Sequence, residues 1–133
     1  MGRTLVSVSV TALYAAVLAL IIVALAINVT MHRVKLRVSL GDGGNPVMLR
    51  MIRLHGNAVE YIPIAVLLML TYEIGGGSHY LLHAAGIALI AGRIIQITAM
   101  WGTDNPSAGR GLGQTLTWIT VVLLALANIL KFI

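Results

Sequence analysis

The chain of 133 residues contains no cysteine. Disulfides, thiolate metal sites and a cysteine nucleophile of its own are excluded, so any thiol chemistry must use a thiol carried by a substrate. Acidic residues are scarce, four against nine Lys and Arg, and charged residues make up only 10% of the chain while 59% is hydrophobic. A soluble domain of this size cannot hide so much apolar surface in one core, and the mean hydropathy is +0.95. The apolar residues come in long runs separated by short polar breaks, which makes lipid the solvent. A basic block with interleaved aromatics is also missing. The formal charge of +5 lies mostly beside the apolar runs, where headgroups and topology explain it without nucleic acid.

Four runs, 6–29, 47–72, 80–101 and 112–130, approach or exceed the ~20 residues needed to cross the hydrocarbon. The first follows Arg3 and has the polarity of a signal peptide, but its apolar region is too long and no small-x-small site precedes a soluble domain. It reads as a span. The segment HRVKLRVSLGDGGNP follows, with Arg33, Lys35 and Arg37 ahead of a Gly-rich turn, and Pro46 suits the first turn of the next helix. This loop, with Arg50 and Arg53 behind it, carries most of the positive charge and is expected in the cytoplasm. EIGGGSHY, with Glu73 as its only charge, is expected outside, and WGTDNPSAGRGLG with Arg110 returns to the cytoplasmic side. The expected fold is an all-α integral membrane protein, a four-transmembrane-helix up-down bundle in a single domain 1–133 with both termini outside. Ala84, Ala88 and Gly92 form a small-residue row for packing against a neighbouring helix. Charge asymmetry, without targeting, retention or lipidation signals, points to a bacterial inner membrane.

The second run carries a polar stripe. Arg50, Arg53, Asn57 and Glu60 fall at i, i+3, i+7 and i+10 and share one helix face. A charged side chain at the bilayer centre costs roughly 2.5–3.5 kcal/mol on insertion scales, so such a face must meet partners, water or a ligand. Pro63 removes a donor and crowds the Val59 carbonyl, which predicts a kink near Glu60. Arg93 and Gln96 sit deep in the third run, and Glu60 is the acidic candidate to pair with Arg93. Each residue also has a bland role. Arg50 and Arg53 can set topology, Asn57 can be interhelical glue, Glu60 and Arg93 can fix register, and Tyr61 can belong to an interfacial belt. His79 and His83 stand at i, i+4, half a metal site without a third ligand; no metal is expected. Thr115, Thr117 and Thr120 can bond back to their own helix carbonyls without serving a function.

The stretch Arg53-Leu-His-Gly-Asn57-Ala-Val-Glu60-Tyr61-Ile-Pro63 resembles the membrane-associated proteins in eicosanoid and glutathione metabolism, the MAPEG family, whose pattern at the start of the second span is R-x3-N-x2-E-x2-P. Three further matches keep the same order: Arg33-Val-Lys-Leu-Arg37-Val-Ser39, Arg93 in its Ala-Gly-Arg context, and Arg110 ahead of the fourth span. The resemblance implies a homotrimer of four-helix protomers holding glutathione, as co-substrate, between subunits near the cytoplasmic face. Carried over, Arg33, Arg53, Asn57, Glu60, Tyr61 and Arg93 would contact the tripeptide and Arg110 would lie by its thiol. The chemistry is consistent: arginine forks suit two carboxylates, Glu60 suits the ammonium, and a cation favours the thiolate of a group whose free pKa is ~8.5. The sequence departs from the eukaryotic members where tyrosines follow the third-helix arginine; here Gln96 and Met100 stand at those positions. Many bacterial members carry histidine where Gln96 stands. Glutamine hydrogen-bonds but does not exchange a proton near neutral pH.

The resemblance thus implies a glutathione S-transferase or peroxidase acting on hydrophobic small molecules delivered from membrane lipids. Two other classes compete. One is a non-catalytic lipid-binding protein of the same fold, or an accessory subunit of a larger membrane complex, which the loss of the tyrosines favours. The other is a small proton-coupled multidrug transporter, which would need Glu60 near the midplane and free to titrate.

Overall fold

The computed structural model describes residues 7–103, 105 and 107–133. The expected start of the first span at Val6, its flanking Arg3, and Asp104 and Pro106 of the third connection lie outside the described residues. The described chain forms four helices and no strand: α1 Ser9–Leu36, α2 Pro46–Ile74, α3 His79–Met100 and α4 Ala108–Phe132. All four are long and apolar enough to cross a membrane. Both α2 and α3 pack against each other and against the two remaining helices, whereas α1 and α4 do not touch each other. The bundle is therefore a rhombus with α2 and α3 on the short diagonal. Its core is one continuous cluster that includes Leu18, Met48, Met51, Met69, Leu82, Leu89 and Leu124. Leu20, Val23, Leu67, Ile87, Val122 and Leu126 face outward, as a lipid solvent requires.

Two helix boundaries correct the sequence reading. The first helix runs on through His32–Leu36, because nothing in that segment breaks a helix and Arg33 and Lys35 in its last turn favour the negative end of the dipole. It stops at Arg37, a non-glycine residue in the left-handed region at φ 55°, whose neighbour Val38 donates back to the Arg33 carbonyl at 3.0 Å. The fourth helix starts at Ala108, four residues earlier than hydropathy indicates, because the Ser107 hydroxyl accepts from the Arg110 amide at 3.3 Å. Arg110 is thus in the first turn of α4 rather than ahead of it. As expected, Pro46 occupies the first turn of α2, behind Asn45, whose side chain accepts from the amides of Val47 and Met48 at 2.9 and 3.1 Å. The α-helix continues through Pro63.

The closest helix crossing is α3 on α4. A Cβ on Gly113 would stand 2.6 Å from the Gly92 carbonyl oxygen, and one on Gly92 would stand 3.0 Å from the Gly113 carbonyl oxygen. Only glycine lets the two backbones approach so closely, the small-residue packing expected in membranes. The expected row is used unevenly: Gly92 makes this crossing, while Ala84 and Ala88 line a shallow apolar groove beside α4.

Glu73 corrects another expectation. It belongs not to the connection but to the last turn of α2, 4% exposed, and its carboxylate accepts from the amides of Val10 and Thr11 at 3.0 and 2.7 Å. The first turn of α1 has no acidic residue and no side-chain cap of its own. Glu73 supplies both from another helix. Nearby, the Tyr14 hydroxyl and His83 Nδ1 are 2.9 Å apart, so the histidine is engaged with α1; among the described residues no group of three metal-ligating side chains forms.

Candidate functional site

The stripe on α2 meets α3 and α4 at the end of the bundle that carries the α1–α2 and α3–α4 connections. A cavity of about 530 Å³ opens there, lined by Arg53 and Asn57 of α2, Gln96 and Met100 of α3, and Arg110 and Gln114 of α4, among others. That volume lies within the roughly 300–1,000 Å³ of ordinary ligand pockets. Helical spacing explains the lining: Arg53 and Asn57, Gln96 and Met100, and Arg110 and Gln114 are each four residues apart, so each helix turns one edge toward the cavity.

Arg93 lies behind this cavity, 2% exposed. The expected ion pair with Glu60 does not form. Arg93 instead donates from Nη1 to Asn57 Oδ1 at 2.6 Å and from Nη2 to Thr117 Oγ1 at 2.5 Å, and its Nε is buried with no partner. Glu60 is on the outward side, where its carboxylate lies 3.6 Å from Arg53 Nη1 with both side chains about half exposed. The physical reason is reach. Asn57 precedes Glu60 by three residues and occupies the inward edge of α2 at the depth of Arg93, leaving the glutamate turned toward the bundle surface. Arg93 is thus a buried cation whose hydrogen-bond acceptors, among the described residues, are neutral. Burial of an unpaired charge is costly, so a guanidinium held this way is available to an anion entering the cavity that Asn57 lines.

Of the residues singled out from sequence, the fold brings Arg53, Asn57 and Arg110 to one cavity wall and stations Arg93 directly behind Asn57. Tyr61, half-buried on α2, is not part of that lining. Arg33 does not join them: it lies in a separate open cavity with Arg37 and Ser39 and donates to the Gly41 carbonyl at 2.8 Å.

Over 120 residues, the chain is 40% identical to the protein named "Inner membrane protein YecN" of Escherichia coli strain K12, and equally to the protein of that name in Escherichia coli O6:H1, covering 90% of each chain. A sequence profile of the MAPEG family matches residues 11–130. The chain belongs to the MAPEG family. It is an integral membrane protein, as four helices of membrane-spanning length and composition require.

For this MAPEG member, the sequence reading missed two side chains of the site. Thr117 does donate to the Gly113 carbonyl of its own helix at 3.1 Å, as expected, but it is wholly buried and also accepts from Arg93. Its spacing matches that of Thr120, which bonds only the Leu116 carbonyl, so no sequence signal separates the two. The other is Gln114. Its Oε1 accepts from Gln96 Nε2 at 3.2 Å, while its own Nε2 is buried without a partner. One turn after Arg110, Gln114 could have been found by asking which α4 residues share that arginine's face.

Proposed function

We propose that this membrane protein binds glutathione as co-substrate in the basic cavity and transfers its thiol to, or uses it to reduce, a hydrophobic molecule arriving from the lipid. The observation that carries the reading is Arg93: a fully buried guanidinium with only neutral acceptors, set behind a cavity whose wall bears two more arginines. Glutathione as thiolate brings two carboxylates and a sulfur anion to that excess of positive charge, and arginine forks bind carboxylates in bidentate fashion. In this reading Arg53 and Asn57 hold the tripeptide, Glu60 takes its ammonium, Tyr61 lies alongside, and Arg93 compensates its charge through Asn57. Arg110 stabilises the thiolate. The thiol proton leaves to water, since neither an arginine nor a glutamine can take it. The sulfur then forms a bond to an electrophilic carbon while that carbon's leaving group or strained ring oxygen takes the electron pair.

Arg33 stands outside the cavity of its own protomer. Its part in the site therefore goes with a homotrimer, in which the basic end of one subunit's α1 reaches a neighbour's cavity. We place the protein in a bacterial inner membrane, as the name of the E. coli relatives states for them, with the α1–α2 and α3–α4 connections in the cytoplasm. A transporter reading fits less well, because Glu60 is engaged with Arg53 at the bundle surface rather than isolated at mid-depth.

The test is binding and turnover in detergent. Arg53→Gln should weaken binding of S-methylglutathione by about tenfold, the loss of one charged hydrogen bond. Arg110→Gln should leave that binding within about threefold and depress conjugation of a lipophilic electrophile more strongly. Parent-like affinity and rate in both variants would remove the proposal. A second reading, a non-catalytic binding protein or accessory subunit, draws on Gln96 and Met100, which line the cavity from the positions where the eukaryotic members carry tyrosines. Tight binding with no turnover of any electrophile or peroxide would favour it.

A further inference from the structure

The lining of the cavity is layered by charge. Helices α2 and α4 begin, and α3 ends, at the end of the bundle that carries the two connections, so position along each helix gives depth. Arg53, Met100 and Arg110 line the cavity toward the connections, whereas Asn57, Gln96 and Gln114 line it one turn, about 6 Å, farther toward the bilayer interior. The deeper layer is three neutral amides. Two of their oxygens are already engaged: Asn57 Oδ1 accepts from Arg93 and Gln114 Oε1 accepts from Gln96 Nε2. Gln114 Nε2, by contrast, is buried and has no acceptor among the described residues. A donor left this way is costly, and the cost is relieved when an oxygen enters the space that the same side chain lines.

In the reading proposed above, on which this inference rests, the anionic groups of glutathione fill the cationic layer. The hydrophobic molecule comes from the lipid and meets the amides. A neutral donor suits an oxygen that is uncharged on arrival and gains charge only during reaction. The lining restricts the chemistry further, since none of its described side chains, arginine, amide, serine hydroxyl or thioether, readily gives up a proton near neutral pH. An epoxide oxygen, expelled as a strongly basic alkoxide from the carbon next to the one attacked, would need such a proton. A conjugated carbonyl does not. Its charge spreads over an enolate, and its oxygen stands farther from the attacked carbon, where the deeper layer lies.

We infer that the hydrophobic co-substrate is an enone and that Gln114 is a catalytic residue, its Nε2 donating to the carbonyl oxygen as negative charge develops there. Sulfur forms a bond to the β-carbon, the π pair of the carbon–carbon double bond shifts through the carbonyl carbon to oxygen, and no group leaves. The α-carbon of the enolate then takes a proton from water, which balances the one released by the thiol and restores the carbonyl. Gln96 is a positioning residue: by donating to Gln114 Oε1 it holds that amide with its nitrogen free.

The experiment compares conjugation of glutathione to benzylideneacetone, an enone, and to benzyl chloride, whose chloride leaves without an oxyanion, alongside binding of S-methylglutathione in detergent. Gln114→Met is expected to lower the ratio of kcat for the enone to kcat for the chloride about a hundredfold, the effect of losing one oxyanion donor. Its affinity for S-methylglutathione should stay within about threefold of the parent. If Gln114→Met does not fold, Gln96→Met, which lets the Gln114 amide turn, should lower the same ratio about tenfold. An unchanged ratio in the folded variant would overturn the inference, and so would a loss of S-methylglutathione binding as large as the loss of rate, since Gln114 would then be a contact of the tripeptide. A parent that binds S-methylglutathione but does not turn over the enone overturns this inference alone. A parent that does not bind S-methylglutathione removes the reading of the cavity as well.

Discussion

Thr117 and Thr120 offer a direct test of how Arg93 is held. Both are buried hydroxyls on α4 and both bond a helix carbonyl four residues back. Only Thr117 also accepts from Arg93, at 2.5 Å. Valine replaces the hydroxyl by a methyl group of similar size, so neither substitution opens a cavity. Thr120→Val gives up a bond to a carbonyl already in the helix ladder, and its cost should stay near 0–0.5 kcal/mol. Thr117→Val leaves a buried guanidinium nitrogen without an acceptor on a side chain whose Nε already lacks one. Hydrogen bonds to charged groups are worth about 1.5–3 kcal/mol, whereas interhelical bonds in membrane bundles average ~0.6 and reach ~1.7. The charged donor and complete burial put Thr117→Val at the upper end of the membrane range, about 1.5–2 kcal/mol. Equilibrium unfolding in a denaturing detergent, followed through the fluorescence of Trp101 and Trp118, measures both variants against the parent. Equal losses, or the larger loss in Thr120→Val, would refute the account of Arg93.

The tie between α2 and α1 predicts that Glu73→Gln costs about 1–2 kcal/mol, because an amide replaces one of the two acceptor oxygens with a donor; amide exchange at Val10 and Thr11 should accelerate, and unchanged protection there would sink the idea. At the α3–α4 crossing, Gly113→Ala puts a methyl group 2.6 Å from a backbone oxygen and should destabilise by about 1–3 kcal/mol. Gly111→Ala, two residues earlier with nothing within 4 Å of its Cβ, should stabilise α4 by about 0.5–1 kcal/mol, so thermal unfolding of the pair must shift in opposite directions. Asn128 donates to the Leu68 carbonyl at 2.9 Å and accepts from the Thr71 hydroxyl at 2.9 Å; Asn128→Leu should loosen α4 from α2 by about 1 kcal/mol, visible in the same unfolding assay.

Hydropathy alone identified four spans, because in lipid the backbone must close its hydrogen bonds within each helix and any run of about 20 apolar residues settles the matter. Helical spacing likewise put Arg53 and Asn57 on one edge of α2, and the resemblance to the MAPEG family added Arg110. The helix ends were less legible. The limits of α1 and α4 depended on a left-handed backbone at Arg37 and a side-chain cap at Ser107, which hydropathy does not register. The pairing of the charges was not legible at all. Glu60 was the natural partner for Arg93 by charge, and Glu73 the natural loop residue by its glycine neighbours. Instead the neutral Asn57 and Thr117 receive Arg93, and Glu73 caps a helix more than sixty residues away.

The sequence by itself therefore determined the solvent, the number of spans and the presence of a cationic face, since these follow from composition and from a period of 3.6 residues within one helix. Which cation meets which acceptor, and which threonine matters, were decided only by the tertiary structure. The way α3 lies on α4 depends on how closely Gly92 and Gly113 allow two backbones to approach, a contact between segments that no periodicity along either one encodes.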